Sequence, residues 1–411
     1  YAGGNLLEDT QQNTRIVRGA TFEATGQNTE FGNQVSLNSN GTRIAIAARN
    51  DNSGRGRVRV YDWNETNNTW SSIGEWSGAS SGEKLGSSLQ LSGDGNTLIA
   101  GAPSFSMSSR YEDAQIGKAY IYKWNDGQQS WGSASVIVLS SIEKSRHAKL
   151  GEVVAINYDG TSVAMGFPGK HVGRRREGVS NKRGTIMFYK WNGSNWYRNY
   201  TYPNINGTAN DEELPSSLAL SSSGNILAVG SKRVNFNGGQ VRVYRYNSSA
   251  RTWNQLGNSI NGESSGDFSG TSVSLSSDGT ILAIGSPSSD SSGSSSVVSS
   301  FTYNNSGQVR IYKYGTSWTL EKTIDAVYSY EYLGWSVSLN TKGNVVIIGS
   351  PAYSSQNYTG IVRVWRDNGT DWVTMATFNG PQSYSYFGNS VDINADGNII
   401  AIGAYGDIAN N

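Results

Sequence analysis

Residues 270–286 read GTSVSLSSDGTILAIGS, and this stretch decides the fold. Val273 and Leu275 alternate with serines, the period of a strand with one buried face. Ser277, Asp278 and Gly279 form a hairpin turn in which glycine supplies the positive φ. The run from Ile281 to Ile284 is apolar on both faces, as a strand sandwiched between two neighbouring sheets requires. Gly285 closes the run where a Cβ is expected to clash.

Six further copies share the pattern: GNQVSLNSNGTRIAIAA from Gly32, GSSLQLSGDGNTLIAGA from Gly86, GEVVAINYDGTSVAMGF from Gly151, PSSLALSSSGNILAVGS from Pro215, GWSVSLNTKGNVVIIGS from Gly334 and GNSVDINADGNIIAIGA from Gly388. In every copy the turn glycine lies nine residues after the first position (Gly41, Gly95, Gly160, Gly224, Gly279, Gly343, Gly397), and the copies start 54 to 65 residues apart. A fixed internal period of this kind is the mark of a repeat architecture.

After a variable loop comes a third strand: GRVRVYDW from Gly56, GKAYIYKW from Gly117, GTIMFYKW from Gly184, GQVRVYRY from Gly239, GQVRIYKY from Gly307 and GIVRVWRD from Gly360. A fourth opens on Trp70, Trp131, Trp196, Trp253, Trp318 or Trp372. Recurrence at one repeat position assigns these tryptophans to packing. Four antiparallel strands per unit, seven times over, predicts an all-β, seven-bladed β-propeller in one domain spanning 1–411, with blades starting near 31, 85, 150, 214, 268, 333 and 387. The seventh copy ends after its second strand. Residues 1–30 are expected to supply the strands that close the last blade, because 15–26 align with 253–264 when Phe22 is laid on Ile260 and residues 4–9 offer a third strand. The chain begins at Tyr1 without Met, which fits a removed leader or a piece of a longer protein.

Composition agrees. Glycine at 50 residues with only 7 prolines suits many short turns, and no cysteine exists for disulfides or thiolate metal sites. The 33 basic and 32 acidic residues give no charge excess to hold nucleic acid or an anionic membrane, and no apolar run is long enough to span a bilayer.

The repeats resemble FG-GAP units, the building blocks of integrin α-subunit propellers. Phe31-Gly32, Phe387-Gly388 and the Leu-Gly pairs at 85, 150 and 333 stand for the "FG". Gly101-Ala102-Pro103 is a literal "GAP", softened to Gly-Ser-Pro at 285 and 349. The resemblance covers nearly the whole chain and implies the fold, while function has to come from the sites. Calcium-binding members carry several carboxylates per turn, because Ca²⁺ takes six to eight oxygens. Here the turns offer at most one, at Asp94, Asp159, Asp278 and Asp396, so neither a metal nor another cofactor is expected. The turns are also similar to the Asp-box of sialidase propellers, but no catalytic arginine cluster or Tyr/Glu pair can be assigned. The recurrent Arg59, Arg242, Arg310 and Arg363 alternate within third strands and are expected to face solvent.

Catalytic constellations are sparse. His147 and His171, the two histidines, lie in separate loops without a nucleophile motif beside them. The acidic clusters Asp211, Glu212, Glu213 and Glu112, Asp113 read as solvated loops, which leaves a glycoside hydrolase as the weakest reading and no catalytic residues.

Sequons occur at Asn40, Asn64, Asn67, Asn192, Asn199, Asn206, Asn247, Asn304, Asn357 and Asn368. Ten is close to the roughly eight that chance gives for 40 asparagines, so placement carries more than count. Six of them (40, 64, 67, 192, 247, 368) fall in turns that share one face of a propeller. The opposite face holds two aromatic clusters, Tyr328, Tyr330, Tyr332 and Trp335, then Tyr384, Tyr386 and Phe387, which suit protein or sugar contact. Trp335 and Phe387 could equally pack between blades. The basic loop 170–183, with Arg174, Arg175 and Arg176, suits an acidic partner. These features predict an extracellular or cell-surface, N-glycosylated propeller that is not an enzyme. Its expected role is structural or adhesive contact with a protein or with further copies of itself. A lectin-like, glycan-binding module is the alternative.

Overall fold

The computed structural model describes residues 21–23, 26, 28–106, 115–138, 147–169, 182–198, 202–292, 302–303, 305–352 and 358–406. The chain folds as an all-β propeller, and among the described residues it forms six four-stranded antiparallel blades and not the seven expected. The first blade runs Phe31–Leu37, Arg43–Ala48, Arg57–Asn64 and Thr69–Ser77 from the centre outwards. The fifth and sixth repeat this order, as Ser272–Leu275, Ile281–Ser286, Gln308–Tyr314, Trp318–Asp325 and as Ser336–Leu339, Val345–Ser350, Ile361–Asp367, Trp372–Asn379. In the second, third and fourth blades the outer strand is broken into two short segments that both pair with the third strand, for example Thr252–Gln255 and Ile260–Asn261.

The seventh repeat forms a two-stranded sheet, Ser390–Ile393 with Ile400–Gly403. It fills the place between the sixth blade and the first, and its inner strand touches the inner strands of both. Among the described residues no third or fourth strand follows Gly403. The N-terminal stretch expected to supply them, residues 1–20 and most of 24–27, lies outside the described residues. Phe22 is described, and its ring packs 4.6 Å from Tyr61 and 5.8 Å from Trp70 on the first blade.

The second strands explain the burial pattern. Every residue of Thr97–Ala102, Val345–Ser350 and their counterparts in the other four blades is buried except the fifth blade's Ile281, because each sheet is covered on both faces by its neighbours. The small residue near the end of each is demanded by contact. A Cβ on Gly285 would lie 2.0 Å from the carbonyl oxygen of Gly334 in the next repeat, and one on Gly403 would lie 2.1 Å from that of Gly32. The tryptophans pack as expected. Trp63 faces Trp70, Trp124 faces Trp131 and Trp191 faces Trp196 across paired strands, with ring centroids 5.5 to 5.7 Å apart.

Hydrogen bonds link repeat to repeat around the axis. At the narrow end the amides of Ser39, Asp94, Tyr158, Ser222, Ser277, Thr341 and Ala395 donate to the carbonyls of Gly93, Tyr158, Ser222, Ser277, Thr341, Ala395 and Ser39 at 2.8 to 3.2 Å. The chain of bonds returns to its start. Further up the channel the amides of Leu91, Ile156 and Leu339 donate to Ser36, Gln90 and Ser274 on the preceding repeat. At the seam between the seventh repeat and the first, the same job falls to Asp392, which accepts from the Leu37 amide at 2.7 Å and from Ser338 Oγ at 2.8 Å.

Two four-residue segments, Asp51–Gly54 and Val234–Asn237, contain left-handed residues at Asn52, Ser53, Asn235 and Phe236 and are turns of the loops that follow second strands. Among the described residues no helix is long and apolar enough to cross a membrane.

Complete burial pushes the Asp392 carboxyl above its ordinary range, against the donors that favour its charge. A carboxyl raised in the folded state contributes stability at low pH and loses it as pH climbs through the folded value. Asp392→Asn keeps an acceptor for Leu37 without the charge. Its stability advantage over the wild type should therefore widen between pH 4 and pH 8 in urea titrations. A gap that stays constant with pH would contradict this.

Candidate functional site

The linkers that enter each inner strand share one backbone device. The residues four and two positions before the first repeat residue have positive φ in all seven repeats: Asn28 and Glu30, Gly82 and Lys84, His147 and Lys149, Asp211 and Glu213, Gly266 and Phe268, Tyr330 and Tyr332, Tyr384 and Tyr386. Only two of these fourteen are glycine, although a left-handed residue with a side chain costs about 1–2 kcal/mol. The alternation turns the residue between each pair inward. Thr29, Glu83, Ala148, Glu212, Asp267, Glu331 and Ser385 are all buried, at most 7 % exposed. Their flanking partners point out onto the wide face.

The inward residue matches the third strand of the blade it precedes. Glu212 pairs with Arg242 and Glu331 with Arg363, both acids wholly buried. Glu83 takes Lys118 at 2.9 Å and accepts from the Tyr120 hydroxyl. Asp267, its carboxyl pushed up by burial, accepts from the Glu263 and Ser264 amides with the Arg310 charge nearby. In the third blade both positions are apolar, Ala148 and Met187, within one core cluster. In the first the linker offers Thr29, and Arg59 turns to Glu75 at 2.7 Å instead. The recurrent arginines are thus buried, at 4 to 8 % exposure, and the expectation that they face solvent is wrong. Alternation along the third strand was read correctly, but both of its faces are covered. Glu212 likewise belongs to the core and not to a solvated cluster. The missed signal was an acid two residues before the Leu/Phe-Gly position, paired with a base in the following Gly-x-Val-Arg strand.

The outward positions are aromatic in the sixth and seventh repeats. Tyr328, Tyr330, Trp335, Tyr358 and Tyr384 are exposed by 40 to 55 %, and Tyr332, Tyr386 and Tyr405 are half-buried among them. Tyr358 lies 5.9 Å from Tyr384 and 5.8 Å from Tyr386, and Tyr386 stacks on Tyr405 at 4.9 Å with planes 8° apart. The two clusters read from the sequence therefore form one patch, extended by Tyr358 and Tyr405. Burial, then neighbouring phenols, push the Tyr332 and Tyr405 hydroxyls up, so these two remain neutral donors. Phe387 is buried between blades and belongs to the core, while Trp335 stands in solvent. Trp335 and Tyr405 also rim the channel mouth, a polar funnel of about 530 Å³ lined by residues of all seven repeats.

The opposite face carries the sequon turns. Asn40, Asn67, Asn192, Asn247 and Asn368 are exposed there and Asn64 is half-buried, whereas Asn206, also exposed, pairs with Thr185 at the start of a third strand, on the linker side. Several cap their own turns, as Asn368 does by accepting from the Thr370 and Asp371 amides. Asn199, Asn304, Asn357 and Arg174, Arg175, Arg176 lie outside the described residues. The turn aspartates are engaged locally: Asp278 accepts from the Thr280 amide, the Thr280 hydroxyl and Ser276 Oγ. His147 Nδ1 meets Gln115 Oε1 at 2.9 Å. Among the described residues no three His, Asp or Glu side chains converge as a metal set.

Comparison with known proteins finds no family that matches the chain and no curated protein similar to it.

Removing one partner of a buried ion pair costs about 3–5 kcal/mol, because the other charge is stranded. Glu331→Ala also removes the acceptor of the Val327 and Tyr328 amides at 3.0 and 3.2 Å. We expect a loss in that range by chemical denaturation, with Glu331→Leu/Arg363→Met losing clearly less. A single variant within 1 kcal/mol of wild type would show that the pair does not hold the linker.

Proposed function

We propose that this chain is an FG-GAP-like, extracellular, N-glycosylated propeller that acts as a contact module for another protein and not as an enzyme. The observation that carries the reading is the tyrosine patch. Five tyrosines (330, 332, 358, 384, 386) occupy left-handed positions where other repeats carry Gly, Asn, Gln, His or charged residues and, in one case, Phe268, and they meet on one face. Tyrosine brings large, rigid, amphipathic area at a low entropic cost, the side chain favoured in protein contacts. The six sequons in strand turns (40, 64, 67, 192, 247, 368) lie on the other face, so glycans at those positions would leave the patch clear.

Glycan binding is the second reading, favoured by Trp335 and Tyr405 beside a funnel of serine hydroxyls. An aromatic plane next to polar donors suits a sugar ring. A photo-crosslinking residue at position 384 should capture a protein from native material, and the same residue at 67 should not. Tyr330→Ala should reduce capture at least tenfold. A glycan array that responds to Trp335→Ala, with no protein captured at 384, would favour the sugar reading and overturn the first.

We also propose that residues 1–30 complete the seventh blade. Phe22 supports this by sitting on Tyr61 and Trp70 as Trp76, from the outer strand of the first blade, sits on Tyr122 and Trp131 of the second. Deleting residues 1–30 should lower the melting temperature and promote association through the Ile400–Gly403 edge. A truncated chain that stays monomeric and equally stable in sedimentation and thermal melts would refute the closure.

A further inference from the structure

The wide face carries a second specialised sector, at the junction of the third and fourth blades. A cavity of about 440 Å³ opens there, within the size range of small-molecule sites. It is lined by Lys149, Lys182, Lys232 and Arg233 with Glu152 and Glu213. Four cations against two carboxylates leave an excess of two positive charges, in a chain whose entire net charge is +1. Lys149 and Glu152 are 3.8 Å apart and Arg233 and Glu213 are 3.1 Å apart. Among the described residues no ion pair is found for Lys182 or Lys232.

Lys232 is the unusual member. Its equivalents after the second strand are Pro103, Pro168, Pro287 and Pro351 in four other repeats. Here the fold gives up that proline for a half-buried ammonium whose proton affinity is lowered first by burial and then by the Arg233 charge. A cation in that position is unfavourable for the free protein. An anion in the cavity would offset it, and would gain from the reduced dielectric. The two carboxylates set the rest of the ligand's chemistry. They would repel a second acidic group but accept hydrogen bonds from hydroxyls. Lys232, Glu152 and Ser216 are shared with the channel-mouth funnel, so the cavity opens onto a surface already lined with hydroxyl groups.

We propose that this cavity binds a singly anionic sugar unit, its carboxylate or sulfate on Lys232 and Arg233 and its hydroxyls donating to Glu152 and Glu213. The site lies away from the tyrosine patch, and its test does not depend on that patch having a partner.

Calorimetric titration of the full chain with D-glucuronate, N-acetylglucosamine 6-sulfate, D-glucose and inorganic sulfate tests the proposal. The two acidic sugars should bind at least tenfold tighter than glucose and tighter than inorganic sulfate, and more weakly as salt is raised. Lys232→Gln should weaken glucuronate at least tenfold and Arg233→Gln at least threefold, while Lys313→Gln, at an exposed cation of the fifth blade, leaves it unchanged. Because Arg233 is exposed, its variant decides the matter if Lys232→Gln fails to fold. Equal affinity for glucose, inorganic sulfate binding as tightly as the acidic sugars, or wild-type affinity in a folded variant would each overturn the assignment, as would absence of binding at 10 mM sugar.

Discussion

Everything in this molecule depends on a closed circuit of hydrogen bonds around the axis. Each repeat carries an inner edge that its own strands cannot pair and a second strand too apolar to leave uncovered. The circuit resolves both, because the seven narrow-end amides each find a carbonyl on the next repeat and Ala395 finds Ser39. Each bond contributes only about 1 kcal/mol net, and the ring residues themselves are half-buried or exposed. Closure is therefore enforced chiefly by the second strands, whose apolar faces stay uncovered unless every sheet has a neighbour on both sides.

The seam shows where this enforcement is concentrated. The seventh repeat has two described strands where the others have four, and no outer pairing steadies it among the described residues. In their place the inner strands exchange extra side-chain bonds. Asn389 Nδ2 donates to the Asn33 carbonyl, the Val35 amide to Ser390 Oγ and the Leu37 amide to Asp392. Asp392 is the one carboxylate in a ring position otherwise held by serine, glutamine or alanine. A carboxyl offers two acceptor oxygens, so Asp392 takes the Leu37 amide and Ser338 Oγ at once at the seam.

The fold was legible because its signals are local and repeated. Turn glycines at a fixed offset, period-2 alternation and the aromatic pairs at the ends of third strands each report on neighbours a few residues apart. What escaped the sequence depends on two faces at once. Alternation puts Arg242 and Arg363 on one face of a third strand, but only the three-dimensional stack shows that a linker acid covers that face. The linker's left-handed alternation was also invisible, since glycine marks it at only two of fourteen positions. The candidate patch was half legible. Tyr328, Tyr330, Tyr332, Tyr384 and Tyr386 stand out by composition, whereas Tyr358 and Tyr405 join them only because loops distant in sequence converge.

The same alternation separates stability from recognition. The inward residue of each linker is tied to a core partner, so changing it strands a charge or opens a void. The outward residues on either side make surface contacts, as His147 does with Gln115 and Tyr384 with Tyr358, and share one backbone conformation whatever their chemistry. Side chains there can be exchanged without disturbing the ring, in keeping with binding residues carried on loops of a rigid scaffold. The sixth and seventh repeats use these positions for tyrosines, and the third and fourth use them for His147, Lys149, Asp211 and Glu213. Two surfaces of different character therefore face the same direction about three repeats apart, with a polar funnel between them. A ligand or partner that engaged both would be held at two points, and its affinity would be governed by how well its own span matches that separation.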